Sequence, residues 1–162
     1  MLFRSNYGGT IFQITSGGTL TTLYNFCAQT NCADGGSPYA GLVQATDGNL
    51  YGSASLGGTN NVGTIFSLNV GLGPFVETLP TFSKERGIVT ILGTNLTGAT
   101  AVTFNGKNAR FSVVSATEID TSVPVGATTG FVTVTTPRGV LSSNVMFRVR
   151  PPHQRPQSMR RS

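Results

Sequence analysis

The tetrapeptide Gly-Thr-Ile-Phe occurs twice in this chain, starting at Gly9 and again at Gly63, 54 positions apart (63 minus 9). A repeat constrains a fold more than any single motif. Each copy must adopt the same local structure and bury its apolar surface against a neighbour. The likeness extends outward. Ile14 lies over Leu68, Thr22-Leu23 lies over Thr78-Leu79 at an offset of 56 (78 minus 22), and LFRS at Leu2 resembles LYGS at Leu50 at an offset of 48 (50 minus 2). The changes of offset fall in turns, chiefly in GGTNNV after Leu56. The repeating unit, of about fifty residues, lies in the range of propeller blades.

The unit reads as β throughout. YAGLVQAT, LYGSAS, GTIFQIT and TLTTLYNF are short strands, and Asp47-Gly48-Asn49 is a hairpin turn because Asp-Gly favours the positive φ such turns need. Alternation places Leu20, Thr22, Tyr24 and Phe26 on one face. Four short strands with Gly-rich turns make a propeller-like blade, so residues 1–72 are expected to hold about one blade and a stub. The stretch GLGPFVETLP, with two prolines, reads as a connector over residues 73–80.

Beyond it the alternation is regular. Val89 and Ile91 share a face, as do Val102 and Phe104, Val132 and Val134, and Val145, Phe147 and Val149. Asn105-Gly106 is a hairpin turn. Half-buried strands between Gly, Asn and Pro turns predict a small antiparallel sandwich. The predicted class is therefore all-β: a partial propeller-like repeat followed by an immunoglobulin-like β-sandwich. The sandwich should carry its own core, whereas the repeat half depends on neighbours.

Two family resemblances accompany this reading. GLVQATDGNLYGSASLGG, followed by GTIFSL and preceded by LTTLYNFC, resembles the GloVer tandem repeats of large bacterial choice-of-anchor proteins over residues 2–72. That resemblance implies a β array and an exported parent, and no catalytic residues. One full unit and a stub, where such arrays have many units, imply a fragment of a larger repeat protein. GIVTILGTNLTGATAVTFNGKNARF, SATEIDTSVPVGATTGFVTVTTPRG and SSNVMFRV resemble the IPT/TIG domain, an immunoglobulin-like fold, giving a domain at residues 81–150. Its matched residues are structural: Gly93 and Gly106 in turns, Pro124 at a strand end, and apolar core positions. TIG domains occur in surface receptors, exported bacterial proteins, polysaccharide-active enzymes and transcription factors, so the fold leaves the function open.

Charge narrows the classes. The net charge is +5, from eleven basic and six acidic residues. Five of the basic residues, Arg148, Arg150, Arg155, Arg160 and Arg161, crowd the C-terminal end, leaving six basic against six acidic residues elsewhere. A nucleic-acid reader needs basic residues over a folded face, and this distribution argues against one. The apolar runs are too short for a membrane span, and MLFRSNYGG has no apolar core of a signal peptide.

The chemistry-bearing residues are few. Cys27 and Cys32 stand four residues apart, so a disulfide across the loop is geometrically feasible and free thiols are the alternative. Zinc would need four ligands, and the single histidine, His153, lies among prolines near the C-terminus, which also argues against a serine-type triad. Asp34 and Asp47 sit in turns, where Asp is favoured for backbone reasons, and Glu118 and Asp120 share one solvent-facing strand face. Asp47-Gly48-Asn49 lacks a calcium-loop ligand pattern. The paired glycines at Gly8, Gly17 and Gly57 lack the Lys and opening helix of a phosphate loop. Tyr24, Tyr39 and Tyr51 offer a sugar-stacking platform if they converge.

The reading is a non-catalytic exported or cell-surface structural or interaction module, with no cofactor, no metal and no catalytic residue assigned. Its intact parent is placed outside the cell, and proteins or surface glycans are its partner classes. A carbohydrate-binding accessory module is the first alternative. Nucleic-acid binding through the TIG fold and the basic tail is the second. Residues 151–162, PPHQRPQSMRRS, have no apolar period and read as a disordered basic tail. Proteolysis of the native protein should therefore cut first at Arg160 and Arg161, the Arg155–Pro156 bond being a poor substrate, and leave the thermal unfolding of the body unchanged. Full protection of both sites would refute this.

Overall fold

The computed structural model describes residues 8–151. It is all-β, in several sheets of which none closes into a barrel. Two compact units divide the chain. One is built from residues up to Ala45 together with Asn49–Leu72, the other from Thr46–Gly48 together with Gly73 onward.

The N-terminal unit holds β1 (Thr10–Ile14), β2 (Leu20–Asn25), β3 (Val43–Gln44), β4 (Leu50–Ala54) and β5 (Thr64–Leu68). They form two sheets, the hairpin β1-β2 and the three-stranded β3-β4-β5, all antiparallel. Ile11, Phe26 and Ala54 are buried, and Leu23, Tyr24, Phe66 and Leu68 pack on them. Phe26 meets Phe66 edge to face at 4.9 Å between centroids, so the inner faces of the two sheets press together through aromatic rings.

Three expectations are corrected here. Among the described residues this unit has a two-stranded and a three-stranded sheet in place of one four-stranded blade. YAGLVQAT pairs only through Val43 and Gln44, because Pro38 and Gly41 interrupt the ladder that Tyr39 and Ala40 would extend. Leu20, Thr22, Tyr24 and Phe26 do not share one face. The register slips between Ile11 and Phe12, pairing Ile11 with Tyr24 and Phe12 with Thr22, so Leu23 is a bulged extra residue and alternation reverses across it. Tyr24 and Phe26 then point inward, while Leu20 and Thr22 point outward.

The C-terminal unit is an immunoglobulin-like sandwich. β6 (Glu77–Leu79), β8 (Ile88–Leu92), β11 (Phe111–Ser115) and β12 (Glu118–Ser122) form one sheet in the order β11-β12-β8-β6. β9 (Ala101–Phe104), β10 (Lys107–Ala109), β13 (Val132–Thr136) and β14 (Gly139–Ser142) form the other, in the order β10-β9-β13-β14. β7 (Phe82–Lys84) and β15 (Arg148–Arg150) pair in parallel beside them.

Alternation works here as read. Val89, Ile91 and Ile119 from the first sheet meet Val102, Phe104, Val132 and Val134 from the second, all essentially without solvent contact. Phe104 and Phe147 close the core edge to face at 5.0 Å. On the outer side, threonines of paired strands bond to one another, as in Thr103 to Thr133 at 2.8 Å.

The stretch 73–80, expected as a connector, instead supplies β6, and Val76 is fully buried in the core. Its two prolines flank the strand and spare the residues that pair, which an edge strand tolerates. Val145 is exposed although Phe147 is buried, because regular strand begins only at Arg148. Arg148 and Arg150 lie in β15, so part of the basic excess assigned to the tail belongs to the sandwich. The tail itself, beyond Pro151, falls outside the described residues.

The two units differ sharply in core size, which sets the expected cost of truncation. Ile91→Ala or Phe104→Ala should destabilise the C-terminal unit by about 2–5 kcal/mol in denaturant unfolding, from lost burial plus a cavity. Phe12→Ala, at a surface position, should change stability by about 0.5 kcal/mol or less.

Candidate functional site

The densest polar structure in the N-terminal unit surrounds the two cysteines. The chain leaves β2 at Phe26, turns through Cys27 with φ 61°, and passes one 3-10 turn at Thr30–Cys32. The structure pairs Cys27 with Cys32, their Cα atoms 4.0 Å apart. Backbone bonds close the loop on a glycine. The amide of Cys27 donates to the carbonyl of Gly35 and the amide of Gly35 donates to that of Cys32, each at 2.9 Å. Gly35 has φ +92°, and a Cβ there would run into the side chain of Thr64, so the position needs glycine on both grounds.

Asp34 braces the loop. Its carboxylate accepts the amides of Ala28 at 3.0 Å and Gln29 at 3.2 Å and the hydroxyl of Tyr24 at 2.9 Å. Burial pushes this carboxyl up, yet the amides of Ala28 and Gln29 and the Tyr24 hydroxyl outweigh it and hold the group below the usual carboxylate range. Tyr24 shifts upward, first through its bond to Asp34, then through burial and through repulsion by that charge.

Beside this brace, between β2 and β5, lies a cleft of about 320 Å³. Tyr24, Phe26, Phe66 and Leu68 give it an apolar floor, and Asp34 is the acid among its described lining residues. The Asp34 oxygens are engaged by loop donors, so the carboxylate acts as an anchor for the backbone. The sequence signal was Asp34-Gly35-Gly36 just after Cys32. It marked a turn, and only the fold brings Tyr24 onto the same carboxylate.

The other candidate residues stay apart. Tyr24 faces the seam between the sheets, whereas Tyr51 lies on the outer side of β4 and Tyr39 projects from a loop, so the sugar-stacking trio does not converge. Asp120 accepts the hydroxyl of Thr90 across the strands at 3.1 Å, on the face opposite Ile119. Asp47 sits in the turn closed by the Ala45 amide donating to the Asn49 carbonyl at 2.9 Å. His153 lies outside the described residues. Among the described residues, no group of three or more His, Cys, Asp or Glu is placed to hold a metal, and no helix is long and apolar enough to cross a membrane.

In the C-terminal unit, Asn105-Gly106 makes the expected tight turn, with φ of 46° and 81°. The Asn105 amide also donates to Thr128 Oγ1 at 2.8 Å and to the Thr129 carbonyl at 3.2 Å, clasping the next loop. On the parallel pair, Phe82, Lys84, Arg148 and Arg150 share the exposed side, with the Arg150 guanidinium 4.0 Å above the Phe82 ring.

This sandwich, with its strand order and its structural turn residues, matches a known family model over residues 76–149. An IPT/TIG domain is found at residues 76–149. The TIG match begins five residues before the expected boundary (81 minus 76) and takes in β6, in keeping with the buried Val76. An IPT/TIG domain is typically a non-enzymatic immunoglobulin-like interaction module. No curated protein matches the chain.

The Asp34 brace carries a pH signature. Its folded pKa is depressed, so the stability it contributes is present above the unfolded value of about 3.9 and is lost as pH falls through the lower folded value. Acid unfolding of the N-terminal unit, followed by the fluorescence of its tyrosines, should steepen below about pH 4. Asp34→Asn should remove that component. An unchanged acid profile in the variant would overturn the assignment.

Proposed function

We propose that this chain is a non-catalytic interaction module of a larger exported or cell-surface repeat protein. In this reading the TIG domain is the spacer or contact element and the N-terminal unit is one part of a repeat array. The TIG match on a sandwich with a complete core carries the reading. The paired cysteines support an oxidising compartment, where a short-loop disulfide persists. The apolar side chains on both outer faces of the N-terminal unit support neighbours of the same kind.

A polyanion-binding face is the second reading, favoured by Lys84, Arg148 and Arg150 around Phe82. Its binding should fall steeply with salt and should survive removal of residues 152–162.

The deciding observation for the first reading is the coding sequence upstream of Met1, which should encode further copies of the repeat and a signal peptide in frame. Protein purified without reductant should then show no titratable thiol. An in-frame stop codon immediately upstream, or two free thiols, would sink the exported-array reading. Selective binding on a glycan array would move the assignment to the carbohydrate-binding alternative.

A further inference from the structure

The two copies of Thr-Ile-Phe fold into the same strand and bury opposite faces. In β1, Ile11 is buried, at 8% exposure, and Phe12 is 55% exposed. In β5 the matching Ile65 is 86% exposed, and the matching Phe66 packs on the core. The next apolar pair follows suit: Ile14 is exposed in β1, and Leu68 packs inward in β5.

Identical residues end with inverse burial because the contact between the two sheets is head to tail. The Ile face of the first copy, with Ile11, Tyr24 and Phe26, packs on the Phe face of the second, with Phe66 and Leu68. Each copy has both faces, so among the described residues one of each is left exposed. The uncovered Phe face of the first copy carries Phe12, Ile14 and Leu20, set side by side by the pairing of Ile14 with Leu20. The uncovered Ile face of the second carries Ile65, with Val43 beyond it on the same sheet.

We infer that these two faces bind each other between molecules: the Phe12 face of one chain docks on the Ile65 face of a second copy, repeating the seam in which the Ile11 face packs on the Phe66 face inside the chain. The occupant is a second copy because the chain already seats an Ile face of this segment on a Phe face in its own seam. The interface is heterologous, so association is open-ended or closes into a ring, and a symmetric dimer is not its product. This inference rests on the repeat reading of the N-terminal unit and goes further by naming both surfaces and their polarity.

A mixing experiment on the full chain tests it. Sedimentation velocity of the native protein should show species growing with concentration. Phe12→Lys leaves only the Ile face, and Ile65→Lys leaves only the Phe face. Each variant alone should stay monomeric, and a mixture of the two should form a one-to-one dimer. Both substitutions are at exposed positions, and unchanged thermal unfolding verifies that the variants fold. If either does not, Ile14→Lys or Val43→Lys replaces it on the same face. A monomeric native protein overturns the inference, as does undiminished association of the single variants or a mixture that stays monomeric. None of those outcomes touches the TIG assignment or the export reading, which depend on the sandwich match and on the upstream sequence.

Discussion

A pleated strand turns its side chains to two faces, and a sheet that is apolar on both must find a neighbour on each. That constraint separates the two units of this protein. In the sandwich, each sheet buries Val, Ile and Phe on one side, while the other side mixes Thr and charged residues with exposed apolar ones such as Ile88 and Val140. Two such sheets cover each other, and solvent takes the rest. In the N-terminal unit both sides of the sheets carry large apolar residues, and among the described residues the seam between them fully buries Ile11, Phe26 and Ala54. One unit holds a core of thirteen buried apolar residues, and the other leaves large apolar side chains exposed on both sheets.

Polar side chains do a different task in each unit, set by where apolar burial ends. The loop after β2 has little core beneath it and is shaped by Asp34, which gathers two amides and a hydroxyl. A carboxylate suits this position because it can accept several bonds at once, and each bond to the charged form favours ionisation. In the sandwich, Asn105 fills the corresponding role with a neutral amide, holding its own turn in the left-handed region while clasping Thr128 and Thr129. Both residues look like ordinary turn formers in sequence, and both fix a second segment in space.

How much was legible follows from how regular the local pattern is. Val89, Ile91, Val102, Phe104, Val132 and Val134 were readable as core because unbroken alternation assigns a face to every residue. Leu20 and Tyr24 were misassigned to one face because a bulge at Leu23 leaves no mark in an alternating sequence. The strand from Glu77 to Leu79 was hidden by the prolines on either side, although it pairs with β8 and the Val76 before it is buried. The brace at Asp34 was half legible: the turn was clear, and its tie to Tyr24 depended on where β2 ran.

The sequence by itself determined that the chain is all-β, that a Gly-Thr-Ile-Phe segment recurs in it, that it holds a sandwich, and which face of most sandwich strands is apolar. Those are properties of residue type and spacing, and they are local. It also determined that the two Thr-Ile-Phe segments would be strands of the same kind. Only the tertiary structure decided that Ile11 is buried while Ile65 is exposed, and that Phe12 is exposed while Phe66 is packed. Burial belongs to the contact between sheets rather than to the residue. Two identical strands stacked head to tail cannot hide the same face.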